Sequence, residues 1–287
     1  MHAAPTVSRI FADRYRREAT RLERLHCNHL SPGTATWGDA LEAMEKRMGK
    51  LDGPIKRTAA IKAAGKYLRE TQKGSMHYML GSYGTKRSSV MSFATINFGA
   101  HPLLGVSEDG VSIMKHTTAC RRDGSGWTSA NRSLGYISRH AVQRLHERGG
   151  DLTIERATKM FTCIGMLGHL FWESESIKHI EGTMSIQIED LLATGALRHA
   201  VGMEGHSRNS CVFFEVRTFL PVSELENRPA MVEQGRTAME ALYRWADGDR
   251  DPSKISALID RIPVLPGRDD DFILQAATKV RIDDVLA

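Results

Sequence analysis

The stretch Ser138-Arg139-His140-Ala141-Val142-Gln143-Arg144-Leu145-His146-Glu147-Arg148-Gly149-Gly150 sets one histidine and two arginines at successive four-residue intervals. On a helix capped by Ser138, with about 100° per residue, Ile137, Ala141 and Leu145 form an apolar stripe that Val142 broadens. His140, Arg144 and Arg148 fall along one flank of it, as a half-buried row, while Arg139, Gln143 and His146 face the opposite, solvent side. A guanidinium at the border of a core needs an anion, because a charge taken out of water without a partner is costly. One reading lets Glu173, Glu175, Glu181 or Glu215 supply that anion, and the row is then structural. The other aims the row at phosphate. Arg144 and Arg148 would bind its oxygens bidentately, and His140 would titrate near neutrality as proton donor or acceptor. Those residue types suit RNA cleavage without a metal. A base takes the 2′-hydroxyl proton, the oxygen attacks phosphorus in line, cations hold the equatorial charge and an acid protonates the leaving oxygen.

The same residues carry a resemblance. The helix resembles the S-x-H-A-x-x-R-x-x-x-R-G helix of small uncharacterised bacterial proteins that look like distant relatives of the RelE-type toxin ribonucleases. The match rests on His140, Ala141, Arg144, Arg148 and Gly149, with Arg217 and Thr218 in the strand-like F-F-E-V-R-T-F-L-P, and spans about 138–221. It implies a small α+β core, no cofactor, His140 as general acid or base, Arg144 and Arg148 beside it, Arg217 on phosphate and Thr218 as a minor contact. The chain departs from that pattern by wrapping the segment in long flanks and by lengthening the helix that follows.

The elements that must position this row can be read along the chain. Ile10, Phe11, Tyr15, Leu22 and Leu25 recur at helical spacing over 7–30, S-P-G at 31–33 breaks the pattern, and further helices follow over 37–48 and 55–68. The runs at 90–98 and 103–118 are β-branched and aromatic, with E-D-G as a hairpin turn, so a strand meander is expected. A polar loop over 121–133 leads into the His140 helix. Thr153 caps a second helix through Phe171, 184–188 reads as a strand or a helix start, and 211–221 is the strongest strand, stopped by Pro221. Helices over 228–246 and 253–262 and a last strand over 272–282 complete the reading. The fold class is α+β: a helical N-terminal region (1–73), a central mostly antiparallel sheet with packed helices (74–222) and a helical C-terminal region (223–287), the three together able to form one domain.

Other constellations are weaker. Lys86-Arg87, Lys115-His116 and Arg121-Arg122 place cations on or beside the meander, with Trp127 and Tyr136 near enough in sequence to stack on bases, so Arg121 and Arg122 join the phosphate-binding candidates; a solvated basic loop is the plainer account. His26-Cys27-Asn28-His29, with His206 or Cys211, offers zinc ligands at a spacing foreign to common zinc modules and reads as a helix end, so no metal is assigned. G-A-L-R-H-A at 195–200 is similar to the L-R-H element of tyrosine recombinases, with Tyr243 downstream, but a strand-like run separates them where continuous helices are needed. Nucleotide-binding loops, Rossmann glycines, a G-x-S-x-G elbow and H-E-x-x-H are absent from the sequence.

Bulk properties set the limits. The 287 residues suffice for one large or two modest cores, and 41% hydrophobic with 25% charged residues is the composition of a folded protein. A net charge of +5 favours polyanionic partners without demanding them. Cys27, Cys120, Cys163 and Cys211 stand singly, as reduced thiols do, and no apolar run reaches membrane-spanning length, which makes a cytoplasmic protein with no membrane partner the expectation. The function expected is thus nucleic-acid-directed, with RNA or another nucleic acid as partner and metal-independent endoribonuclease activity as its sharpest form. The alternative is a non-catalytic protein of phage, plasmid or defence origin that binds nucleic acid or a protein partner.

Overall fold

The computed structural model describes residues 5–51, 54–71, 77–83, 90–99, 110–121, 127–173, 182–204 and 207–247, with 254, 257 and 259–262. In chain order the elements are α1 (Pro5–Leu30), α2 (Trp37–Lys50), α3 (Pro54–Glu70), β1 (His77–Tyr83), β2 (Val90–Gly99), β3 (Val111–Arg121), β4 (Trp127–Ile137), α4 (Arg139–Arg148), α5 (Ile154–Glu173), β5 (Gly182–Ile188), β6 (Leu191–Glu204), β7 (Ser207–Pro221) and α6 (Pro229–Ala246). The strand order is β1-β2-β3-β4-β7-β6-β5. β1–β2, β5–β6 and β6–β7 are antiparallel, and β4 joins β7 in parallel through Gly135–Ile137 against Phe214–Val216. The protein is therefore α+β, its mostly antiparallel strands preceded and followed in the chain by helices.

The chain divides into two compact units, one of residues 1–16, 100–113 and 133–287 and one of 17–99 and 114–132, which cut across the consecutive segments 1–73, 74–222 and 223–287. In the second unit the last turns of α1 close a core with α2 and α3 from Cys27, Leu30, Trp37, Ala40, Met44, Ile61, Ala64 and Leu68. α2 starts where the buried Glu23 carboxylate accepts the Trp37 N–H at 3.3 Å and the Thr36 hydroxyl accepts the Asp39 N–H at 3.1 Å, so its first orphan donors are satisfied. β2 is buried on both sides: Ala94, Ile96 and Phe98 alternate with Thr95 and Asn97, all inaccessible. Trp37 stacks on His116 of β3 with ring centroids 5.9 Å apart.

In the first unit the register of β6–β7 fixes what each face carries. Pairing steps from Thr194↔Thr218 to Gly195↔Val216, so Arg217 is the extra residue of a β-bulge. Phe214, Val216 and Phe219 consequently share one face and Glu215 and Thr218 the other. The Phe219 face is the one the helices cover: Phe219 lies 6.4 Å from Phe161 of α5. Gly195 lets the strands close at the bulge, because a Cβ there would run into the Glu215 carbonyl oxygen. α6 guards the sheet's end strand, where Gln234 Nε2 donates to the Thr183 carbonyl at 2.9 Å, which occupies an acceptor that another chain's strand would use.

The structure corrects several expectations. Residues 127–133, read as polar loop, belong to β4, and β1 and β6 form where the sequence pattern predicts no strand. Of the run read over 103–118, the part after E-D-G is β3 from Val111, and the part before it lies outside the described residues, as do 272–282 and most of 253–262. The ambiguous 184–188 is strand β5.

Candidate functional site

β4 delivers the row and α4 carries it. After pairing with β7 as far as Val216, the chain turns: the Ser138 N–H bonds to the Val216 carbonyl at 3.2 Å, and the Ser138 hydroxyl accepts the Ala141 N–H at 3.1 Å as the helix cap. Ala141, Val142 and Leu145 are buried, and the Gly149 N–H closes the last turn on the Leu145 carbonyl at 2.7 Å. α4 then runs beside the part of β7 that β4 no longer pairs. There Arg148 Nη1 donates to the Phe219 carbonyl, so the guanidinium stands where a strand N–H would have been.

Arg144 sits between two partners on its own helix. Its Nε donates to His140 Nε2 at 3.3 Å and its Nη1 bonds Glu147 at 2.6 Å, with the Arg144 side chain 41% exposed and Glu147 14%. His140 is exposed rather than half-buried, and because Nε2 accepts in this arrangement, Nδ1 carries the ring proton. The flank expected to face solvent is covered in part: Arg139, Gln143 and His146 are half-buried, as Arg144 and Arg148 are. His146 Nδ1 lies 3.0 Å from the Ser8 hydroxyl with its ring 4.5 Å from Phe11, and Arg139 pairs with Asp13 at 2.7 Å. The first turns of α1 lie against this side of α4, which a wheel drawn from one helix does not foresee. Burial holds the His146 imidazole below its ordinary pKa, partly offset by Glu147.

Arg217 and Thr218 belong elsewhere. Arg217 Nη2 is 3.5 Å from Glu215 Oε2, the oxygen that Arg198 Nε approaches at 2.9 Å, and Arg198 and Glu215 are buried. Burial pulls the Arg217 pKa down, Glu215 pushes it up, and the neighbouring Arg198 adds to the fall. By register these groups lie on the Glu215 face, whereas Leu191, against which Gly149 at the end of α4 packs, lies on the Phe219 face. Thr218 is half-buried opposite Thr194. The expected phosphate-binding set is thus divided between α4 and the far face of β7, and only His140 and Arg144 meet. Of the carboxylates weighed as partners, Glu215 serves Arg198 and Arg217, while the partner of Arg144 is Glu147.

Arg198 is the residue that sequence reasoning misses. Its signal is a lone arginine at an inward position of the Leu191–Glu204 strand, legible only once that strand is recognised. Arg121 ends β3 with its side chain outside the described residues, and Arg122 lies outside them altogether. Tyr136 and His116 are fully buried and cannot meet a base, since each strand turns them inward. G-A-L-R-H-A runs through β6, a strand, and Tyr243 is exposed on α6. At the end of α1, His29 stacks on Tyr67 with centroids 3.7 Å apart, His26 Nδ1 meets the Tyr67 hydroxyl at 3.1 Å, and burial beside Glu23 pushes the Cys27 thiol far up. Among the described residues no three His, Cys, Asp or Glu side chains converge as metal ligands, and no helix is long and apolar enough to cross a membrane.

No protein-family model, no curated protein and no solved structure matches the chain.

Proposed function

We propose that the protein is directed at nucleic acid and that α4 contacts it without cleaving it. The observation that carries this reading is the exposed His140–Arg144 pair, 3.3 Å apart, on a chain of net charge +5. Cleavage needs more than that pair. In-line attack calls for a second cation and an acid at the same phosphate, and Arg148 is held by the Phe219 carbonyl while Arg217 is held by Glu215. The endoribonuclease reading keeps one observation in its favour, the direct contact between a candidate base and a candidate phosphate-binding cation.

The test is a labelled mixed-sequence RNA in EDTA, followed for cleavage on gels and for binding by anisotropy, with wild type, His140→Ala and Arg144→Ala, each checked by circular dichroism. Binding of intact RNA, weaker in both folded variants, is the expected result. Cleavage that vanishes in the folded variants would establish the ribonuclease instead. Neither binding nor cleavage would remove both readings and turn the surface toward a protein partner.

A further inference from the structure

We draw no further inference here: the strongest candidate, the side-chain cluster of Arg198, Glu215 and Arg217 on the Glu215 face of β6 and β7, holds Arg198 Nη2 buried with no hydrogen-bond acceptor among the described residues, but Arg198 and Glu215 already neutralise each other at 2.9 Å and nothing among those residues shows what would occupy the place beside them.

Discussion

α1 and α4 both carry arginines at helical spacing, and they use them differently. On α4 every arginine has a protein partner: Arg139 meets Asp13, Arg144 meets Glu147, and Arg148 meets the Phe219 carbonyl. On α1 an arc of arginines, Arg14, Arg17, Arg21 and Arg24, is exposed; Arg21 is held by Glu18 at 2.7 Å, and Arg14 and Arg24 meet no carboxylate among the described residues. The reason is placement. α4 is short, follows β4 directly, runs along β7 and is covered by the first turns of α1, so its cations end within reach of backbone carbonyls and carboxylates. α1 buries one side through Phe11, Tyr15, Ala19 and Leu22 and leaves the opposite side open along its length. Which helix of a protein holds spare cations is thus decided by the neighbours that the fold brings to it, and spacing within the helix does not report that.

The sharpest contrast with the α1 arc is Arg198 and Arg217, two guanidiniums on one carboxylate in the sheet. Glu215→Gln should produce a larger loss of stability than any substitution on α1 or α4. It leaves Arg198, whose side chain is 9% exposed, without its counter-charge, a situation that costs about 3–5 kcal/mol in buried pairs. Urea unfolding measures it. A loss below about 1 kcal/mol would mean that this group is as well solvated as the α1 arc and that the contrast between them is false.

Arg148→Ala comes next. It strips the Phe219 carbonyl of its donor at the open stretch of β7 and removes a charge-assisted hydrogen bond of about 1.5–3 kcal/mol. Arg148→Lys should recover only part of this, since an ammonium lacks the planar fork that reaches along the strand edge. If both variants unfold at the wild-type midpoint, Arg148 is available for a ligand and the row on α4 regains its claim to phosphate.

These residues also show where the sequence is legible. Helices with a complete apolar stripe, such as α5 and α6, and the cap at Ser138 can be read because cap chemistry and periodicity are local. β7 can be read because C-V-F-F-E-V-R-T-F-L-P is rich in β-branched and aromatic residues. β6, L-L-A-T-G-A-L-R-H-A-V-G-M-E, escapes because its alanines and glycines have weak strand preference, and its place between β5 and β7 is a non-local fact. The site becomes illegible at the same point. The wheel orders the side chains of α4 correctly around the axis but leaves to water a flank that α1 covers in part, since Asp13 reaches Arg139 from 126 residues away in sequence. The bulge that puts Arg217 on the Glu215 face is likewise a matter of register, which no single strand declares.

A smaller effect tests the covered flank of α4. The His146 ring, between Ser8 and Phe11, has its folded pKa lowered by burial, so above about pH 6.5 it is neutral in both states and its contribution is complete. As pH falls below about 6.5 the unfolded chain takes up a proton that the folded chain resists, and stability declines until the lowered folded value is reached. The unfolding midpoint of the wild type should therefore drop between about pH 7 and 5 more steeply than that of His146→Gln. Parallel curves for the two proteins would place His146 in water, on the side the wheel assigns it.

The smallest effect belongs to α1 and is the most telling for being small. Arg14→Gln and Arg24→Gln remove exposed charges that meet no carboxylate among the described residues, and each also removes a like-charge neighbour of Arg17 or Arg21. Stability should change by no more than about 0.5 kcal/mol, with any shift toward greater stability, because relief of like-charge repulsion at three- and four-residue spacing is favourable. If Arg14→Gln or Arg24→Gln instead destabilises the protein by the amount expected of Arg148→Ala, the arc is a structural element like α4, and the difference between the two helices is one of exposure alone.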